Sequence, residues 1–296
     1  MASYPKIAQS LIATMAARAA DASDRAIAFQ GAPGAFSHIA AQAFAPDALP
    51  LPCFSFEDAM DAVKDGRAAR AIIPIENSQH GRVADIHFLL PESGLNIVAE
   101  YFLPVHHCLL AKSSGPFASA ISHPQALGQC RQYLRGNHIA PINYADTSGA
   151  AAFVAESDDA GLCAIASRLA GELFGLDIVA EGIEDADHNM TRFVVLAESA
   201  DDPLPGNGPV MTSMIFEVNS IPAALFMALS GFATNGINMT KLESYIRGGS
   251  FAAAEFYADI EGMPGDPPVD RALKVLAYHS KWVRILGSYP QALQRV

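Results

Sequence analysis

Residues 69–83 read ARAIIPIENSQHGRV, an apolar run that ends abruptly in Glu76, Asn77 and Ser78 and turns at Gly81. A short run of branched apolar residues closed by turn formers reads as a buried strand. In α/β folds the carboxyl ends of the strands face the ligand crevice, so the polar end of this strand is a place for chemistry. Glu76 is a proton donor if burial raises its pKa, and Asn77 can hold a carboxylate or hydroxyl by hydrogen bonds. A solvated turn after a strand accounts for the same residues equally well.

On either side of this segment, β-rich runs at 26–29, 96–98, 106–110, 138–142, 161–165, 177–180 and 192–196 alternate with helical patterns. The helical stretches are 37–44, 56–64, 124–135, 148–156 and 167–174, the last closed by Gly175 as a C-terminal cap. This alternation predicts an α/β body with helices packed on a mixed sheet, over residues 25–198. Residues 1–24 are an extension, with a short helix expected through Ile7, Leu11, Ile12 and Met15 and no catalytic role. Residues 199–210 read as a linker, because SADDPLPGNGP at 199–209 holds three prolines and two glycines. A second domain over 211–290 follows, with a strand at 211–218, a helix from near Pro222, strands at 238–246 and 251–260, a helix at 269–279 and a strand at 282–288. That βαββαβ order is the split βαβ, ferredoxin-like arrangement, which on a linker is more often a sensor or dimerisation module than a catalytic one.

The chain has 296 residues, room for about two folding units. With 51% apolar and 17% charged residues, disorder is not its main character. Nineteen Lys and Arg stand against 31 Asp and Glu, a formal charge of −12, and no basic run exists to cover a phosphate backbone, so nucleic acid is not an expected partner. Cys53, Cys108, Cys130 and Cys163 match neither zinc-ligand nor CxxC spacing and read as reduced and mostly buried. No apolar run reaches the roughly 18 residues of a membrane helix. Arg18, Asp21 and Asp24 interrupt the Ala-rich start, so a cytoplasmic protein with no membrane partner is expected.

Three helix starts in the first domain combine a hydroxyl with small residues: GAPGAFSH at 31–38, SHPQ at 122–125 and DTSGAA at 146–151. Free N–H groups and the helix dipole make each a candidate anion cradle, although an ordinary N-cap explains any one of them more simply. HNMTRFVVL at 188–196 sets polar residues before a strand; Thr191 can donate a hydrogen bond into a cleft and Arg192 can clamp a carboxylate. Taken singly, a surface threonine and a solvated arginine are the simpler reading. Phosphate-loop, GxGxxG, HExxH and GxSxG signatures are missing, which leaves nucleotide, zinc-protease and serine-hydrolase chemistry unsupported. The remaining candidate groups are carboxylate, amide and hydroxyl.

In order along the chain, GAPGAFS, PIENSQHG, SHPQALGQC, DTSGAA and HNMTRF resemble the motifs of the prephenate dehydratase family: GxxGxFS, PIENSxxG, HPQALxQC, a helix-starting Thr and Ala segment, and NxTRF. GINMTKLES and FYADIEG in the second domain resemble the ACT module that accompanies it. The resemblance implies two α/β lobes similar to type 2 periplasmic binding proteins, with substrate between them and the chain crossing the hinge more than once. It implies a lyase that turns prephenate into phenylpyruvate, water and carbon dioxide in phenylalanine biosynthesis. No cofactor or metal is expected, because aromatisation supplies the driving force.

Carried over by position, Thr191 is the residue on which activity depends most, with Glu76, Asn77, Ser122 and Gln129 completing the catalytic set. Ser37, Ser78, Thr147 and Arg192 are implied to bind substrate, with Phe193 packing beneath. Ala224, Leu225, Asn238, Glu243 and Ser244 are the implied regulatory positions for phenylalanine, at an interface that makes the protein at least a dimer, a homodimer or homotetramer. The chain departs from the family pattern where Pro222, Ala223, Ala224 and Leu225 replace a GAL segment, and where Glu243, Ser244, Tyr245 and Ile246 replace ESRP. Tyr245 either alters the ligand pocket or replaces a surface pair. The same motifs also serve arogenate dehydratases, and a noncatalytic sensor of an aromatic metabolite is the reading from another class.

Overall fold

The computed structural model describes residues 4–83, 86–201, 203, 208–246 and 254–292. The chain divides into two compact units, Met1–Arg82 with Phe102–Phe193, and Val83–Tyr101 with Val194–Val296.

In the first unit, α1 (Lys6–Asp21) is the helix expected near the N-terminus. β1 (Ala26–Gln30) lies between two parallel neighbours, β2 (Leu49–Cys53) and β3 (Arg70–Asn77). β2 escapes a sequence reading because its LPLPC run holds two prolines; proline is tolerated there because β2 is the edge strand, with β1 on one side only. Helices α2 (Phe36–Phe44) and α3 (Phe56–Lys64) follow β1 and β2. α3 has a Ser55 cap accepting from the Asp58 N–H, acids in its first turn and Lys64 in its last, as the helix dipole favours. β4 (Gly81–Arg82) hooks back on the end of β3, pairing Glu76 with Arg82 and Asn77 with Gly81.

A second sheet of this unit has the order β10-β6-β9-β7-β8, from β6 (Cys108–Ala111), β7 (Ser119–Ser122), β8 (Ala140–Asn143), β9 (Leu162–Ala166) and β10 (Asp177–Glu181). β7 runs parallel to β8 and β9, whereas β6 is antiparallel to β9 and β10, so the expected mixed sheet is present. α7 (Thr147–Glu156) and α8 (Arg168–Phe174) pack on one face with Leu110, Ile121, Val154 and Phe174. Gly175 caps α8 in the left-handed conformation at φ +69, as its position in the sequence suggests.

The helix expected over 124–135 is instead two, α5 (Pro124–Gln129) and α6 (Arg131–Gly136), parted at Cys130. Asp185 makes the break: its N–H donates to the Gln129 carbonyl at 2.6 Å and its carboxylate caps the Gln132 N–H at 3.0 Å. A residue more than fifty positions away leaves no local signal. The strands expected at 106–110 and 138–142 begin later, at Cys108 and Ala140.

β5 (Asn96–Pro104) and β11 (Met190–Ala197) each run from one unit into the other along the chain. The second unit carries α4 (Ile86–Ser93), which the sequence reading did not include, and an antiparallel sheet in the order β13-β14-β12-β15. Its strands are β12 (Val210–Val218), β13 (Met239–Ile246), β14 (Ala254–Glu261) and β15 (Ser280–Pro290), with α9 (Ala224–Thr234) and α10 (Pro267–His279) between them. The expected βαββαβ order is thus present; residues 202 and 204–207 of the linker and 251–253 of the expected third strand lie outside the described residues. Alternation of period two sends Phe256, Ala258 and Ile260 into the core beneath the helices and Glu255, Tyr257 and Asp259 to the opposite face. On that face His87 and Phe88 of α4 pack against Tyr245, with ring centroids 6.1 and 5.5 Å away, and His87 also meets Tyr257. Tyr245 is therefore buried and replaces no surface pair. No helix among the described residues is long and apolar enough to cross a membrane.

Candidate functional site

Asn77 organises the polar end of β3. Its Nδ2 donates to Asn189 Oδ1 at 2.8 Å, to Thr191 Oγ1 at 3.0 Å and to the Met190 carbonyl at 3.2 Å. Its Oδ1 accepts from the backbone N–H groups of Gln79 and His80, both at 3.0 Å. The amide has one orientation, because a carbonyl can only accept and backbone N–H groups can only donate. Ser78 completes the seam: its N–H donates to the Met190 carbonyl at 2.8 Å, its hydroxyl donates to the His188 carbonyl, and that oxygen accepts from the Met190 N–H. PIENS and HNMTRF, more than a hundred residues apart, thus form one hydrogen-bonded edge.

The chemical consequence falls on Thr191. Its Oγ1 accepts from Asn77, so the hydroxyl proton is left to point elsewhere, and no acceptor for it stands among the described residues. Thr191 is half-buried, which keeps it open to a ligand. Glu76, also half-buried, sits one residue before Asn77 on the strand. Arg192 and Phe193 are buried, at 4% and 1% exposure, so the solvated arginine of the simpler sequence reading is not found.

A second group comes from the other sheet. Gln129, the last residue of α5, places Oε1 2.7 Å from His107 Nε2 and Nε2 3.1 Å from His80 Nδ1, which joins it to the turn after β3. Burial lowers the proton affinity of His107, with Gln129 and Glu184 opposing the shift. Glu184 grips this corner, accepting from the His107 N–H at 2.8 Å and pairing with His106 Nδ1 at 2.7 Å; burial pushes its carboxyl up, but these partners outweigh burial and hold it below the usual range. Burial also lowers His123, opposed by Asp146 and reinforced by His80.

The three helix starts expected as anion cradles spend their hydroxyls differently. Ser122 is fully buried and donates to the Ile165 carbonyl at 2.5 Å. Ser148 donates to the Pro33 carbonyl and Ser167 to the Gly34 carbonyl, tying α7 and α8 to the Gly31–Gly34 loop. Ser37 is buried in the first turn of α2 and is not its cap. Asp146 caps α7 through the Gly149 N–H at 2.6 Å, leaving Thr147 half-buried as the first helical residue. Burial raises the Asp146 carboxyl against that N–H and the Tyr4 hydroxyl.

The structure therefore brings Asn77, Ser78 and Thr191 together and links them to Gln129 through His80, with Glu76 the preceding residue of the same strand. The residues that sequence reasoning missed are His80, His107 and Asn189. Asn189 had a signal, since it opens the NxTRF-like motif; the two histidines had none, because the partner they share, Gln129, lies on a helix 22 and 49 positions away. The five residues expected to be regulatory lie in the second unit, where Glu243 is held by Lys241 at 2.9 Å and His87 at 3.0 Å, Ala224 is buried, Leu225 half-buried, and Asn238 and Ser244 exposed.

The family model described as prephenate dehydratase matches residues 27–201. A bifunctional N-acyl-homoserine lactone acylase/prephenate dehydratase of Komagataeibacter europaeus is 47% identical over 271 residues, covering 90% of this chain and 96% of that one. Arogenate dehydratase/prephenate dehydratase 1, chloroplastic, of Arabidopsis thaliana is 38% identical over 286 residues, covering 91% and 73%. Among solved structures, prephenate dehydratase of Arthrobacter aurescens in complex with L-Phe superposes with a TM-score of 0.81 at 28% identity, covering 90% of each chain.

Proposed function

The chain belongs to the prephenate dehydratase family, and from that premise we propose that it converts prephenate to phenylpyruvate, water and carbon dioxide. The observation that carries this reading is the Asn77–Thr191 hydrogen bond, which commits the threonine oxygen as an acceptor and frees its proton. In the reaction the C1–carboxylate bond breaks, its electron pair enters the ring, and the C4–oxygen bond breaks with the oxygen leaving as water. Thr191 donates the hydrogen bond to that departing oxygen, and Glu76 is the proposed acid. Ser78, Thr147 and Ser37 are the proposed polar contacts to the substrate, Gln129 orients it, and Arg192, Phe193 and Ser122 hold the framework. The aromatic ring formed drives the step, so the chemistry calls for no cofactor.

We further read residues 25–198 as the catalytic part, two lobes of the periplasmic-binding kind. The βαββαβ segment of 211–290 we read as an ACT module for L-phenylalanine, paired in at least a dimer of a cytoplasmic enzyme. The Arthrobacter relative bound to L-Phe supports the effector. A second reading comes from the Komagataeibacter relative, which is also named as an N-acyl-homoserine lactone acylase.

The test follows phenylpyruvate absorbance with purified protein and prephenate, beside chromatographic detection of phenylalanine formed from arogenate and of homoserine lactone released from an N-acyl-homoserine lactone, the prephenate and lactone arms with and without L-phenylalanine. Turnover of prephenate suppressed by phenylalanine is the expected result. Preference for arogenate changes the substrate, hydrolysis of the acyl–amide bond of the N-acyl-homoserine lactone adds the second activity, and no turnover of prephenate or arogenate refutes the proposal in favour of a binding protein.

A further inference from the structure

Gln129 stands between two imidazoles, so its orientation is set by which ring nitrogens carry protons. His107 is 1% exposed, and its Nδ1 has no partner among the described residues. A proton on that nitrogen would be a buried, unsatisfied N–H, whereas a proton on Nε2 leaves only a bare lone pair. With the proton on Nε2, His107 donates to Gln129 Oε1 at 2.7 Å, and the amide NH2 turns to His80. His80 Nδ1 must then accept. The same nitrogen lies 3.3 Å from Asn77 Oδ1, the atom whose two backbone N–H partners lock Asn77 with its NH2 toward Thr191. A proton at His80 Nδ1 would oppose one donor to another at Gln129 and draw on Asn77 Oδ1.

We propose that His80 is a positioning residue for the reaction. Unprotonated at Nδ1, it accepts from the Gln129 amide and keeps Gln129 Oε1 on His107, the orientation in which Gln129 meets the substrate, while Asn77 is locked by the backbone N–H groups of Gln79 and His80; protonation of the ring sets donor against donor and turns the Gln129 amide. The inference rests on the prephenate reading of the site. The titratable and charged groups around His80 are His123 of the α5 cap with Asp146 behind it, His107 with Glu184 beyond Gln129, and Glu76 and Arg82 on its own hairpin. Imidazole is the side chain whose charge changes between about pH 5 and 8, which makes the pH profile the informative readout.

The experiment measures kcat for prephenate from pH 5 to 9 in the unaltered protein and in His80→Gln, His80→Lys and His123→Gln. Gln keeps a neutral acceptor for the Gln129 N–H; Lys presents a permanent donor. The unaltered protein should lose kcat on the acid side, His80→Gln should lack that limb, and His80→Lys should run about a hundredfold slower throughout, the scale of misdirected acid catalysis. His123→Gln should keep the limb. An acid limb that persists in His80→Gln or vanishes in His123→Gln, or a His80→Lys protein as fast as His80→Gln, overturns the assignment. If the unaltered protein turns over no prephenate, the functional reading falls separately. Nitrogen NMR of the His80 ring then decides the positioning claim, and a proton on Nδ1 at pH 8 refutes it.

Discussion

Asn77→Asp preserves shape and replaces one NH2 by an oxygen, which makes it the sharpest probe of the site. That atom lies 2.8 Å from Asn189 Oδ1, 3.0 Å from Thr191 Oγ1 and 3.2 Å from the Met190 carbonyl, so three hydrogen bonds become three oxygen–oxygen contacts. The NH2 carries two protons, one of them shared between two of these acceptors, so at about 0.5–1.5 kcal/mol per proton the loss is roughly 1–3 kcal/mol of stability, less what is recovered where Asn189 turns its amide and Thr191 its hydroxyl. The Thr191 rotation is the informative part, because the proton then points at residue 77 instead of the substrate. Withdrawing the hydrogen bond to the departing oxygen costs about a hundredfold to a thousandfold, or roughly 3–4 kcal/mol of barrier. Steady-state turnover of prephenate, followed by phenylpyruvate absorbance at saturation, separates this loss in kcat from charge repulsion, which appears in KM; urea unfolding gives the stability change. Combining Asn77→Asp with Thr191→Ala should cost little more than Thr191→Ala alone, since both act through one hydroxyl. Turnover by Asn77→Asp within about threefold of the unaltered enzyme, or effects that multiply in the double variant, would refute the reasoning.

Three other outcomes follow from the same structure. Gly34→Ala should destabilise by about 2–5 kcal/mol and lower the melting temperature, because φ is +90 and the new Cβ would lie 2.6 Å from the Ala170 Cα; an unchanged melting curve would contradict the packing. His38 accepts from the Gly34 N–H at 3.0 Å, and burial lowers its pKa from 6.5 to about 4, so the unfolded chain binds the proton more readily than the fold between those values. Stability is then level above about pH 6.5 and falls by roughly 3 kcal/mol as the pH drops to about 4, a loss that urea titrations of His38→Gln should not show. The four cysteines are unpaired and buried, with burial pushing the thiols of Cys53 and Cys163 up to about 12 and Cys108 to about 11; a thiol reagent at pH 8 should label none until denaturant is added.

Much of the architecture was legible in the sequence. Ile72, Ile73 and Ile75 marked a strand and Gly175 a helix end, since these signals depend on neighbours within a turn or a pleat. The ordered motifs likewise named the residue types at the site. Tertiary structure alone decided which of them meet: Thr191 with Asn77 across 114 positions, Gln129 with His80 across 49, and the break at Cys130 imposed by Asp185. It also decided that Arg192 and Tyr245 are buried and that α4 covers the open face of the four-stranded sheet. Such facts escape a local reading because a hydrogen-bond partner brought in by a sheet crossover leaves no periodicity in the chain that receives it.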